Sequence, residues 1–272
     1  MTWTCMSEPA PGRFCTSILY HRWSLGMAEW FDDEAFWRDL YPFMFTQERF
    51  EQASDEVEKI IKLTGVENGA ALDLCCGPGR HTIQLASRGF TVTGVDKTGF
   101  LLQKAREHAA AACVDIDFIR QDMREYVRPA AYDLAVSMFT SFGYFAKKGE
   151  DIRVLSHLHK SLKPGGILVM EMQGKERLAR EFQPIGGREL PDGRMLVEYR
   201  TIYDGWSRIH NKWILIDGEK ARTFRLDITA YSGQELKDRL MAAGFSSIYL
   251  YGDLEGTEYG PTAKRLIAVA RK

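Results

Sequence analysis

The sequence predicts an α/β fold: a doubly wound, mostly parallel sheet of seven strands, with an antiparallel β meander inserted after the fifth strand. Three observations predict it. Short apolar runs alternate with segments of helical periodicity up to residue 171, and such alternation implies parallel pairing through crossover helices. The first run, Ala71-Leu72-Asp73-Leu74, enters a tight glycine turn, Cys75-Cys76-Gly77-Pro78-Gly79, that opens a helix. After residue 186 the pattern changes, and three strand-like runs follow, separated by the hairpin pairs Asp204-Gly205 and Asp217-Gly218.

Residues 1–26 carry Pro9, Pro11 and Gly12 and no helical periodicity. They also lack the sustained apolar core of a signal peptide, so a poorly ordered or peripheral extension is expected, with Met27 an alternative start. Residues 27–64 read as an N-terminal helical cap. Its first half is dense in aromatics (Trp30, Phe31, Phe36, Trp37, Tyr41, Phe43, Phe45), too many to face one core. They are expected to pack on the sheet or to form a lid over a ligand cleft. Asp32 or Asp33 is placed to cap the helix. The second half repeats Val57, Ile60, Ile61 and Leu63 near helical spacing and forms the helix before the first strand.

One domain is expected to fill residues 65–272. After the glycine turn, a second strand ends at Gly94-Val95-Asp96 and a helix covers 98–112. A third strand ends at Gln121-Asp122-Met123, and a fourth runs from Tyr132 to Phe139. The helix over 151–162 puts Ile152, Leu155, Leu158 and Leu162 on one side, and the turn Pro164-Gly165-Gly166 leads into a fifth strand. In the insertion, about residues 187–230, strands are expected over 194–203, 208–217 and 221–229. Phe224, Leu226 and Ile228 alternate with Arg225 and Asp227, as in a half-buried strand. Ser232, with Glu235 three residues on, reads as a capping box, and Gly244 ends that helix. Residues 246–251 and 265–270 are the final two strands.

An acid inside the first strand, a glycine turn at its end and a second acid closing the next strand suit an adenosine-containing ligand. Glycines let backbone approach a ligand closely. The first turn of the helix offers unpaired N–H groups to a carboxylate or phosphate. Asp96 is placed to accept both ribose hydroxyls. The candidates are S-adenosylmethionine (SAM) and NAD. A dinucleotide fingerprint needs a third glycine where this chain has Thr82. Asp73 would repel a pyrophosphate and suits the ammonium and sulfonium of SAM. Both points favour SAM. Asp122 is positioned either to accept from the adenine amino group, with the Met123 N–H donating to a ring nitrogen, or to cap a turn.

These motifs, in this order over about residues 65–175, resemble a class I SAM-dependent methyltransferase, with a weaker match to the C-terminus. The matching pieces are the Asp73 to Gly79 loop, Gly94-Val95-Asp96, Gln121-Asp122-Met123, Tyr132-Asp133-Leu134 and Leu162-Lys163-Pro164-Gly165-Gly166. The resemblance implies a Rossmann-like sheet whose last two strands form an antiparallel pair at the edge, with an N-terminal helical segment over the cofactor. It implies SAM as methyl donor and a nitrogen, oxygen or carbon acceptor. Asp73, Cys75, Gly77 and Gly79 fall at the methionine half, Asp96 at the ribose, and Asp122 with Met123 at the adenine. The transferable methyl falls near the fourth-strand loop, Phe139 to Tyr144. One position departs: the family loop reads Asp-x-Gly-x-Gly-x-Gly, and its first glycine is Cys75 here, which carries strain if φ is positive.

A formal charge of −1 and the absence of proline from the fourth-strand loop argue against a nucleic-acid base as acceptor. The meander and aromatic N-terminus resemble the substrate cover of small-molecule methyltransferases, including N-methyltransferases of amino sugars and glycine. Methylation of RNA or protein, and a SAM-binding module without catalysis, are the alternatives. Tyr144 is a candidate to position the acceptor or to pack its loop; His210 is a candidate general base near neutral pH or a structural histidine. His81, opening the first helix of the domain, either caps it or touches ligand. The cysteines Cys5, Cys15, Cys75, Cys76 and Cys113 are odd in number with no C-x-x-C pair, which points to reduced thiols in a cytoplasmic protein and to no metal site. No apolar run approaches the about 20 residues needed to span a bilayer.

Overall fold

A computed structural model describes residues 29–272; the expectations for residues 1–26, Met27, Cys5 and Cys15 lie outside the described residues. A 3₁₀ turn (Trp30–Asp32) leads into α1 (Glu34–Met44) and α2 (Gln47–Thr64). Then come β1 (Ala70–Leu74), α3 (Arg80–Ser87), β2 (Thr91–Asp96), α4 (Gly99–Ala111), β3 (Asp117–Arg120), β4 (Tyr132–Ser137), α5 (Lys148–Ser161) and β5 (Leu162–Met172). The insertion follows as α6 (Lys175–Glu181), β6 (Ile185–Glu189), β7 (Met195–Tyr203), β8 (Arg208–Asp217) and β9 (Lys220–Thr229). The chain closes with α7 (Gly233–Ala242), β10 (Ser247–Tyr251) and β11 (Leu266–Arg271).

The main sheet has seven strands in the order β10-β11-β5-β4-β1-β2-β3. β1 to β5 are parallel, and β11 runs antiparallel to both β5 and β10, as expected for the edge pair. β1 pairs with β2 on one side and β4 on the other, so the strand order reverses there and opens a crevice beyond the carboxyl ends. Period-two alternation sorts the core. Leu72, Leu74, Ala135, Leu168 and Met170 pack on one face with α5 and α7. Ala71, Leu134, Val136, Ile167 and Val169 pack on the other with Val57 and Ile60 of α2. Among the described residues no helix is long and apolar enough to cross a membrane.

The insertion is a four-stranded antiparallel sheet, β6-β7-β8-β9, one strand more than the sequence predicts, and it is preceded by α6, which the sequence did not signal. The added strand reads Ile-Gly-Gly-Arg-Glu, with one apolar residue and no alternation. Its partner β7 supplies the register, Gly186 opposite Glu198 and Arg188 opposite Leu196. The insertion is sewn to the loop after β4: the Thr229 N–H donates to the Gly143 carbonyl at 2.6 Å, and Arg208 Nη1 donates to the Phe145 carbonyl at 2.7 Å. A Cβ on Gly143 would stand 2.7 Å from the Thr229 carbonyl oxygen, so this approach requires glycine. α1 bridges outward to the same sheet. Phe36 packs edge-on against Phe224 with ring centroids 5.5 Å apart, and Asp39 binds Arg222 by its carboxylate and Arg194 by its carbonyl. Asp33, not Asp32, caps α1, accepting from the Ala35 N–H at 2.9 Å. The Ser232–Glu235 capping box forms in both directions.

The turn after β1 is hooked onto β2. The Cys76 N–H donates to the Val95 carbonyl at 3.0 Å, and the Gly77 N–H donates to Asp96 Oδ2 at 2.9 Å. Cys75 (φ 63), Gly77 (φ 54) and Gly79 (φ 85) are all left-handed. Cys75 therefore occupies a glycine conformation. At such a position glycine is favoured over alanine by about 1 kcal/mol, so Cys75→Gly should be more stable than Cys75→Ala by that amount in urea unfolding.

Asp151, in the first turn of α5, is fully buried; Oδ2 accepts from the Tyr231 hydroxyl at 2.6 Å, and Oδ1 has no partner among the described residues. Burial pushes its pKa up to about 6, against the pull of the Tyr231 hydrogen bond and Arg208. An acid raised above its unfolded value favours the fold fully below about pH 4 and loses that contribution as pH rises through the folded value. Asp151→Asn is therefore expected to gain stability relative to wild type between pH 4 and 7, by about 2–3 kcal/mol, read from urea midpoints across that range.

Candidate active site

A cavity of about 520 Å³ opens beyond the carboxyl ends of β1, β2 and β4. Asp73, Cys75, Gly77, Asp96, Asp122, Met123, Phe139 and Tyr144 all line it. Gly79 and His210 do not. A Cβ on Gly79 would meet Ala105 and Ile83 at 3.3 and 3.4 Å, so this glycine serves its own positive φ and the close packing of α3 on α4. His210 is turned away by strand parity. Asn211 and Trp213 of β8 face the cavity, whereas His210 sits on the other face with Nδ1 3.0 Å from Asp227 Oδ2. Burial pushes Asp227 up, but hydrogen bonds from His210 and Tyr203 outweigh it and hold the carboxyl low.

Three carboxylates converge from three strand ends. Asp73, 2% exposed, accepts from the Thr82 hydroxyl at 2.6 Å. Asp96 accepts from the Gly77 and Thr98 N–H groups at 2.9 and 2.8 Å, one on each oxygen. Burial raises the pKa of both, and the hydrogen bonds oppose that rise. Asp122 lies two residues past β3, where it caps a turn and borders the cavity. Its Oδ1 accepts from the Arg124 N–H at 2.9 Å. Burial alone would raise it, but Arg124 and Lys97 together bring its carboxyl down to about 2. Cys75 stands beside these acids with Sγ 3.6 Å from Met123 Sδ. Burial, then Asp96 and Asp73, push the thiols of Cys75 and Cys76 well up, which keeps them protonated and weakly nucleophilic.

The roof comes from the cap. Trp30, Phe31, Phe36, Trp37 and Phe45 line the cavity, while Tyr41 and Phe43 pack outside it. Tyr144 lies under this roof, its ring 4.7 Å from Trp30 and 5.9 Å from Phe31, and burial raises its phenol. Ion pairs hold the roof to the sheet: Lys97 to Asp32 at 2.6 Å, and Arg124 to Glu29 at 2.6 Å.

Sequence reasoning missed the basic side of the cavity. Arg49 and Arg80 lie over the Phe139 ring, 4.7 and 5.1 Å from its centroid. Arg80 directly follows the glycine turn, a signal that could have been read. Arg49 sits on α2 among charged residues and carries no such signal. Phe139 and Thr140 both have φ of 60, a strained pair at the end of β4. Glu171 holds it: Oε2 accepts from the Phe139 N–H at 2.5 Å, Oε1 binds Arg265, and Arg265 reaches the Thr140 hydroxyl at 3.0 Å. His81 has its Nε2 2.7 Å from Glu56, and it also borders the cavity.

Comparison with known proteins bears on this geometry. A methyltransferase-domain family model matches residues 71–166, the segment from β1 into the first half of β5. The chain is 28% identical to the putative methyltransferase YqeM of Bacillus subtilis (strain 168), over 80% of this chain and 90% of that one. It is 25% identical to a glycine/sarcosine N-methyltransferase of Aphanothece halophytica, over 81% and 83%. A SAM-dependent methyltransferase from Clostridium acetobutylicum ATCC 824 superposes with a TM-score of 0.72 at 15% identity, covering 87% of this chain and 97% of that one. The matched domain, the relatives and the shared fold together support a class I SAM-dependent methyltransferase.

Proposed function

We propose that the protein transfers the methyl group of SAM to a nitrogen, oxygen or carbon of a small molecule enclosed between the cap and the inserted sheet. The observation that carries this is the convergence of Asp73, Asp96 and Asp122 on one roofed cavity whose opposite side is lined by arginines. The donor set fits the methyl donor. Acids suit its ammonium and ribose, Arg49 and Arg80 suit its carboxylate, and a volume of about 520 Å³ lies within the range of small-ligand sites. The small-molecule acceptor is further supported by the glycine/sarcosine N-methyltransferase among the relatives. A cytoplasmic location is part of the proposal, supported by the free thiols of Cys75, Cys76 and Cys113.

When bound, SAM supplies an electrophilic methyl group on a sulfonium. The chain's residues then have four tasks. Asp73, with the backbone of Cys75 and Gly77, holds the methionine half, and Arg49 and Arg80 balance its carboxylate. Asp96 keeps lone pairs free for the ribose hydroxyls, because each of its oxygens accepts only one backbone N–H. Asp122, held ionised by Arg124 and Lys97, and Met123 border the adenine. Phe139 and Tyr144, with the cap aromatics, exclude water and orient the acceptor, and alignment alone supplies several kcal/mol of rate. His210 is not given the role of base, since it faces away.

Calorimetry tests the assignment. Wild type should bind SAM; Asp96→Ala should weaken binding about 100-fold, matching the loss of about 2–3 kcal/mol for a hydrogen-bonded charged group. Arg49→Gln should cost about tenfold. Wild-type protein that fails to bind SAM would end the proposal. Production of S-adenosylhomocysteine over a panel of amines, phenols and carbon acids, against RNA and protein controls, tests the acceptor class.

A further inference from the structure

The basic side of the cavity continues out of it. A second cavity, about 650 Å³, shares Gln173, Arg177 and Arg188 with the first and runs along β6 past Arg200. Its charges are unbalanced in a built way. Glu198, 3% exposed on β7, is the single carboxylate for two guanidiniums, Arg188 at 2.8 Å and Arg200 at 2.7 Å. Glu181 likewise serves both Arg177 and Arg180, each at 2.7 Å. Four arginines thus share two carboxylates, and three of them, Arg177, Arg188 and Arg200, line the groove. A Cβ on Gly186 would stand 3.1 Å from Arg200 Nη1, so glycine at this edge strand admits the guanidinium against the backbone. At the inner end, Arg49 has no carboxylate within ion-pair distance among the described residues, and the repulsion of Arg80, Arg188 and Arg265 is opposed by Glu48 alone. One carboxylate of a bound methyl donor answers Arg49 and Arg80, and leaves the outer excess unanswered.

We propose that this second cavity is a subsite for an anionic portion of the methyl acceptor, a phosphate or polycarboxylate group, while the reacting end enters the first cavity. The inference rests on the methyl-transfer reading and adds the acceptor's charge and length to it. Guanidinium forks match the oxygens of phosphates and carboxylates two at a time, and an anion bridging paired arginines relieves their mutual repulsion. Insertion and sheet together then select acceptors by an anion held beyond the reaction centre, and they steer such molecules inward.

The test uses full-length protein saturated with S-adenosylhomocysteine, which fills the inner carboxylate site. Inorganic pyrophosphate and citrate are titrated separately by calorimetry at low salt. At least one should bind, and Arg188→Gln and Arg200→Gln should each weaken it about tenfold while retaining S-adenosylhomocysteine binding, the control for folding. Preference for pyrophosphate assigns a phosphate, and preference for citrate a polycarboxylate. The inference is overturned if S-adenosylhomocysteine binds and neither anion does, or if both variants bind the anion as wild type does. Failure to bind S-adenosylhomocysteine overturns the methyl-transfer reading instead, and this inference with it.

Discussion

Much of the site depends on one hydrogen bond, from the Gly77 N–H to the Asp96 carboxylate, with its neighbour from Cys76 to Val95. Together they bend the chain leaving β1 over the end of β2. That bend demands left-handed backbone at residues 75, 77 and 79, and it sets the distance between Asp73 and Asp96. It also aims the first turn of α3, and with it Arg80, across the crevice. A carboxylate at position 96 thus has two duties. It shapes the loop by accepting one backbone N–H on each oxygen, and it keeps further acceptor capacity toward the cavity.

The parallel half of the fold was legible because its signals are local. Strands buried on both faces read as apolar runs, and the turn between β1 and α3 announces itself by glycine spacing. The three acids were legible for the same reason, each being the polar residue in or just past an apolar run. Legibility stopped where tertiary pairing decides the outcome. β6 has no strand pattern of its own and exists because β7 presents a partner edge. α6 is a seven-residue helix, too short for periodicity to show. His210 was a candidate by residue type, yet a one-residue difference in parity puts Asn211 on the cavity face instead. Gly79 fits its motif but spends its freedom on helix packing. Arg49, Arg188 and Arg265 come from three distant segments, and no spacing rule brings them together.

The cavity is electrically divided. One side holds three acids from the sheet, two of them raised by burial and the third kept ionised by Arg124 and Lys97. Its other side holds arginines stacked over Phe139 or bound to Glu171. The strained Phe139-Thr140 pair lies at the boundary, and Glu171 holds its first N–H while Arg265 holds its hydroxyl. A positive φ at two successive non-glycine residues persists only when neighbours enforce it, and here the enforcing groups also carry the charge pattern.

The walls of the cavity have separate origins in the chain. The three acids and the glycine turn belong to the parallel sheet, whereas the roof and far wall belong to segments before β1 and after β5. Those two segments also grip each other, through Phe36, Phe224 and Asp39. Descent with modification can therefore recut the chamber in cap and insertion together, changing what is methylated, while the three acids of the sheet stay untouched. A fold partitioned in this way is predisposed to diversify its chemistry's target without reinventing its chemistry.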